Sequence, residues 1–186
     1  MDIKPADIFL THGTSWISKA IHFFSTHIGE KRTKVNHVGV VVEPGDIKTC
    51  VVVEALSKVK EHALWLQYGP ENNDKVAIYR PINLTGEEIK TIVIYAKDQV
   101  GRKYGIWKIA MHLLDWILQG AYVFRRLTKN GKYPICSWLV AHAFKKADKH
   151  FDIEAGAAQP DDIWDFVTHE NNRDKYECIH ELKRIW

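Results

Sequence analysis

An α+β domain, with an antiparallel sheet packed against helices, is what this sequence predicts, and three stretches carry the prediction. Two β-branched runs, residues 36–43 and 51–56, flank Pro44-Gly45-Asp46, whose turn chemistry makes them an antiparallel hairpin. Thr85 stands three residues before Glu88, the spacing of a capping box, so a helix should run over 86–100. A third stretch opens at Cys136 and sets Leu139, Val140, Ala143, Phe144 and Ala147 on one helical face.

The remaining elements follow in chain order. Residues 6–11 read as a short strand, and 15–27 place Trp16, Ile17, Ala20, Ile21 and Phe24 at helical spacing. Residues 75–80 read as a strand ended by Pro81, and 105–124 as a long helix. Pro160-Asp161-Asp162 starts a short helix over 161–168, and 176–183 form a last strand. With 186 residues, 46% of them apolar, and no repeat, low-complexity tract or linker, the chain should fold as one domain over 1–186.

Charge and cysteine usage narrow the function. The formal net charge of +3 is modest, and the pairs Lys31-Arg32 and Arg125-Arg126 are too short for a nucleic-acid footprint. No nucleic-acid partner is expected. Three cysteines, an odd number, fit reduced thiols better than a disulfide framework. The first residues lack a signal-peptide pattern and no apolar run is long enough to span a bilayer, so the expected location is the cytoplasm, with release by lysis compatible.

Cys136 is the first candidate for chemistry. A thiol at a helix N-terminus is pushed towards thiolate by the helix-end field, and the free N–H groups there can hold an oxyanion. His37 lies in the apolar run Asn36-His37-Val38-Gly39-Val40-Val41-Val42, where an imidazole is costly unless its nitrogens are satisfied. Glu54 is embedded in the same way in Val51-Val52-Val53-Glu54-Ala55-Leu56. If residue 39 faces residue 54 across the hairpin, His37 and Glu54 become diagonal neighbours on one face, and Gly39 leaves the space opposite Glu54 open. A slip of one residue would send Glu54 to the other face. In the favourable register Cys136, His37 and Glu54 make a thiol nucleophile, a general base and the carboxylate that orients it.

Cys50 and Cys178 lack the helix-start context and read as structural. The ten histidines show no HExxH-like or Cys/His ligand spacing, so neither a metal nor another cofactor is expected. His142 is turned to a different side of the helix from Cys136, and His12, beside Gly13, is a weak extra candidate for lining the cleft.

Six segments succeed one another: Pro5-Ala6-Asp7-Ile8-Phe9, His37-Val38-Gly39-Val40, Val53-Glu54-Ala55, Gly101-Arg102-Lys103-Tyr104, Cys136-Ser137-Trp138-Leu139-Val140 and Pro160-Asp161-Asp162-Ile163. Together they resemble the NlpC/P60 superfamily of papain-like cysteine hydrolases, in its circularly permuted branch of YiiX- and YaeF-like proteins. In non-permuted members the Gly-x-x-Tyr and Cys-Ser-x-Leu-Val elements come before the Gly-Asp-Leu and His-Val-Gly strands; here they come after. The resemblance implies Cys136 as nucleophile, His37 as base, Glu54 as the group orienting His37, and Tyr104 and Ser137 as residues lining the substrate and oxyanion site. Ala6 replaces the usual glycine, a change that looks harmless in a strand, and Ile135 stands where many relatives have aspartate before the cysteine.

The expected activity is therefore cleavage of an amide or ester, in a small peptide or a lipid-linked acyl group, through a thioester. A non-catalytic ligand- or lipid-binding module on the same fold and an acyltransferase sharing the site are the alternatives. Residues 105–124 carry Lys108, His112, Asp115 and Gln119 on one polar stripe and are otherwise broadly apolar. That surface suits either the core or a peripheral lipid contact.

Overall fold

The computed structural model describes residues 1–13, 34–103 and 136–186. Six strands form one sheet: β1 (Ile8–His12), β2 (His37–Glu43), β3 (Val51–Ala55), β4 (Val59–Ala63), β5 (Lys75–Pro81) and β6 (Tyr176–Lys183). Their order across the sheet is β4-β3-β2-β1-β5-β6, and every neighbouring pair is antiparallel. The helices are α1 (Leu64–Tyr68), α2 (Gly86–Asp98), α3 (Cys136–Lys146) and α4 (Pro160–Thr168). The α+β expectation holds. The expected helical segments 15–27 and 105–124 lie outside the described residues, and among those described no helix is long and apolar enough to cross a membrane.

Both faces of the central strands are covered, which explains why β1, β2 and β3 show almost no polar alternation in burial. On one face Ile8, Leu10, Val38, Val40, Val53 and Ala77 pack with Ile92 and Ala96 of α2, Leu139, Val140 and Phe144 of α3, and Ile163 of α4. On the other, Phe9, Val41, Val52, Val76 and Ile78 pack with Leu64 and Tyr68 of α1, and with Ile3 and Ile185. β2 is accordingly buried from His37 to Val42, where an antiparallel sheet with one wet face would alternate. Each buried Val or Ile removes enough apolar surface from water to contribute roughly 1.5–3 kcal/mol.

Local chemistry sets the element ends. Thr85 and Glu88 form the reciprocal capping box expected at the start of α2, contributing about 1 kcal/mol. α2 ends at Asp98, two residues short of the expectation. Pro160 occupies the first turn of α4, where its missing N–H costs nothing.

The first strand corrects the sequence reading. β1 begins at Ile8, and Ala6 sits in a turn closed by the Asp7 N–H on Lys4 O at 3.1 Å. Its φ of 69° lies in the left-handed region that favours glycine, so alanine there is not harmless: it costs about 1–2 kcal/mol. The fully buried Ala6 methyl offsets roughly 0.8 kcal/mol of that cost. Asp7, next along, is buried and receives Arg80 Nε at 2.9 Å and Nη2 at 2.8 Å, which pins the start of β1 to β5.

β4 and α1 were not foreseen. Among β4 residues only Val59 is fully buried, so the segment lacks the apolar pattern of a strand, and its pairing with β3 decides its conformation. α1 is five residues long, too short for a periodic signal.

Gly39 pairs with Phe9 on one side and Glu54 on the other. A Cβ at Gly39 would lie 2.4 Å and 2.5 Å from Phe9 ring carbons and 2.9 Å from the Val53 carbonyl oxygen. Phe9 is fully buried and cannot swing away. Gly39→Ala should therefore destabilise by about 1–3 kcal/mol, the usual cost of overpacking. The check is a lower urea midpoint at unchanged slope; a midpoint equal to that of the parent would mean the ring yields freely.

Candidate active site

The β2–β3 ladder pairs Gly39 with Glu54, the register the sequence reading required. His37 and Glu54 thereby share the face that carries Phe9, Val41 and Val52, and His37 Nε2 donates to Glu54 Oε2. The expectation that Gly39 leaves open space is corrected: the Phe9 ring fills it, 6.4 Å from the His37 ring and 5.8 Å from that of Tyr68. Just before His37, Asn36 exchanges two 2.9 Å hydrogen bonds with the Gly13 backbone, fixing where β2 begins.

Glu54 is completely buried, and an unpaired carboxylate there would cost several kcal/mol. Three side chains prevent this. His37 and the Tyr68 hydroxyl, at 2.6 Å, both donate to Oε2. His62 Nε2 approaches Oε1 at 2.7 Å, oblique to a hydrogen-bond axis but within ion-pair distance. Burial alone would raise the Glu54 pKa, yet the His37 charge and these contacts bring it down to about 2. Burial likewise raises that of Tyr68, with Glu54 adding to the effect, so its hydroxyl stays protonated and donating. His62 and Tyr68 escaped the sequence reading because β4 and α1 did.

Cys136 is the first residue of α3 and belongs to the opposite core from His37, so the two side chains meet around the end of β2. His37 Nε2 is committed to Glu54, which leaves Nδ1 for the sulfur. The backbone N–H groups of Val38 and Ser137 also point at the sulfur. Burial opposes a thiolate, but the His37 charge and these donors outweigh it and lower the Cys136 pKa. For His37 burial opposes the charge too, and Cys136 and Glu54 reverse it, to about 10. The arrangement favours the thiolate–imidazolium form of the pair over neutral thiol and imidazole.

The other candidates separate clearly. The Ser137 hydroxyl is turned away, donating to Ala158 O at 2.6 Å, so what Ser137 offers at the sulfur is its backbone N–H rather than its side chain. Tyr104, Ile135 and the helix 105–124 lie outside the described residues. Burial raises the Cys50 pKa to about 11, and Cys178 is exposed on β6. His142 stacks on Trp138 at 4.0 Å, and His12 Nδ1 donates to Lys34 O at 2.9 Å.

The site gives a pH signature. Because the folded pKa of Glu54 is depressed, its contribution to stability is full above the unfolded value near 4.5 and is lost as pH falls through about 2. Glu54→Gln should lower stability near neutrality by about 3–5 kcal/mol, the cost of breaking a buried pair. Denaturant titrations across the acid range should show the gap between parent and variant closing from about pH 4.5 to about pH 2. A gap constant with pH would mean Glu54 is not ionised in the fold.

No known family model matches the sequence, and no curated protein matches it significantly. Among solved structures, the chain is similar to the crystal structure of metalloprotein YiiX from Escherichia coli O157:H7, with a TM-score of 0.52 and 22% identity. The likeness covers 77% of this chain and 66% of that one. Metal-holding is a property of that protein by its description; here His37, Glu54 and His62 point their donor atoms at one another rather than at a common centre. Among the described residues no group of three or more His, Cys, Asp or Glu is arranged to hold an ion. What the likeness establishes is the fold: an antiparallel six-stranded sheet with helices, of the YiiX type.

Proposed function

We propose that this protein is a thiol-dependent hydrolase that cleaves an amide or ester through a thioester on Cys136. The observation that carries the reading is the convergence of a pKa-lowered thiol, an imidazole and a buried carboxylate drawn from α3, β2 and β3. A core cysteine needs none of these. We further read the chain as a circularly permuted papain-like domain of the NlpC/P60 kind, since the His37 and Glu54 strands precede the Cys136 helix in sequence.

In this mechanism the Cys136 thiolate attacks the substrate carbonyl carbon, and the carbonyl π electrons move onto oxygen. The N–H groups beside the sulfur, those of Val38 and Ser137, are suitable donors for the developing oxyanion. As the tetrahedral species collapses, the C–N or C–O bond breaks and His37 gives its Nδ1 proton to the departing amine or alcohol. The thioester remains. Neutral His37 then takes a proton from water, which attacks the thioester, and the acid departs as the thiolate and imidazolium are restored. Glu54 holds the ring in the orientation that both proton transfers need.

Two measurements test the reading. Iodoacetamide at near-neutral pH should label Cys136 well before Cys50 or Cys178, and Cys136→Ala should remove the fast phase; equal, slow labelling of all three would point to a fold without chemistry. A panel of acyl esters and peptide amides, followed by intact mass, should trap an acyl group on Cys136 that hydroxylamine releases. His37→Ala should slow its formation by roughly 10²–10⁴-fold. Absence of any acyl adduct across both classes, with Cys136 still reactive to iodoacetamide, would sink the hydrolase reading.

A further inference from the structure

The proton count around Glu54 does not balance with a neutral His62. Its Nδ1 lies 3.0 Å from the carbonyl oxygen of Ala63, and its Nε2 lies 2.7 Å from Glu54 Oε1. Both oxygens can only accept when the carboxylate is ionised, so the Nδ1 position takes one proton and the Nε2 contact needs another. Without the second proton, an uncharged acceptor nitrogen would sit 2.7 Å from a carboxylate oxygen, with no charge attraction to hold it there. Among the described residues Glu54 Oε1 has no aligned hydrogen-bond donor, so the His62 charge is what compensates it.

We infer that His62 is a positioning residue that works as a proton-dependent clasp: in its doubly protonated form it holds Glu54, and through Glu54 the His37 ring, and when it loses a proton the clasp opens. The inference deepens the hydrolase reading and rests on it for its functional meaning, because only an acid–base role for His37 makes the orientation of Glu54 matter to turnover. His62 has access to solvent protons, its side chain being 15% exposed, whereas Glu54 is sealed. The position lies on β4 with Val52 of β3 across the ladder, on the same face as Glu54.

Several charges bear on the clasp. Glu54 on β3 favours the imidazolium, and Lys60, two residues back on β4 and paired across to Glu54, opposes it. Around the same carboxylate stand His37 on β2 and Tyr68 on α1, with Cys136 on α3 acting on His37 and Asp74 on Tyr68. Burial also opposes the charge, and Glu54 together with the Ala63 carbonyl overcomes it, raising the His62 pKa. The clasp should therefore open above the range of a free histidine, about 6.5.

The test uses the full-length protein and needs no substrate, so it can fail or succeed apart from the hydrolase reading. Nitrogen-15 NMR of the imidazole rings is followed from neutral to alkaline pH. The expected result is both His62 nitrogens protonated at neutrality, one proton lost on the way up, and a step in the His37 ring signals at the same midpoint. His62→Gln, whose amide donates to Glu54 at every pH, should abolish that step while leaving the His37–Glu54 resonance in place. A singly protonated His62 at neutrality overturns the inference in the parent protein alone, whatever the variant does. So does a His37 response that persists unchanged in a folded His62→Gln protein.

Discussion

A carboxylate with no exposure to water is the constraint around which this molecule is arranged. Glu54 remains charged inside the sheet because His37, Tyr68 and His62 surround it, each reaching in from a different element. Remove any one and the desolvation cost, several kcal/mol for a buried ion, has less to oppose it. The β2–β3 register, the missing side chain at Gly39 and the placement of Phe9 over it all follow from the need to bring those groups together. A slip of one residue would turn Glu54 into the apolar Val40 and Val53 core, away from His37, Tyr68 and His62.

The sheet itself explains why the His37–Cys136 pair forms at a strand end. With both faces buried, polar groups have no place in the middle of β2, and β2 is apolar from Val38 to Val42. At its first residue, however, the two cores come close. His37 projects on the Phe9 side while Cys136 arrives with α3 on the other, and their contact ties the two layers together. The Val38 N–H is directed at the sulfur there, so the same backbone that ends the apolar strand supplies a donor for negative charge. Packing and polar pairing are thus served by one position.

The YiiX-type fold gives this arrangement a frame but not a function, because folds host unrelated chemistries and the side chains at the site decide among them. The ionisation pattern is what sets this site apart. A lowered thiol, a strongly raised imidazole and a strongly depressed carboxylate occur in direct contact, whereas Cys50, equally removed from solvent, is driven the opposite way by burial. Burial is common to both cysteines; the neighbouring charge is not.

Much of this was legible in the residues. Turn chemistry at Pro44-Gly45-Asp46, the Thr85/Glu88 box and the proline at α4 are local devices, and the hairpin and helices they imply are present. Out-of-place polar residues in apolar runs marked His37 and Glu54 for the same reason: a buried charge must have a partner somewhere. What local rules could not reach was set by contacts made across distance. β4 becomes a strand because β3 offers it a ladder, and only that pairing carries His62 and then Tyr68 to Glu54. Ala6 looks like a strand residue until the turn onto β1 forces its φ positive, and the Ser137 hydroxyl looks available until it donates a hydrogen bond to the Ala158 carbonyl. The sequence by itself determined which side chains required partners and which segments could form elements, since both follow from short-range sterics and desolvation. The identity of each partner was decided only by the tertiary structure, because hydrogen bonds and charge pairs act over a few ångströms and the fold alone brings distant residues that near.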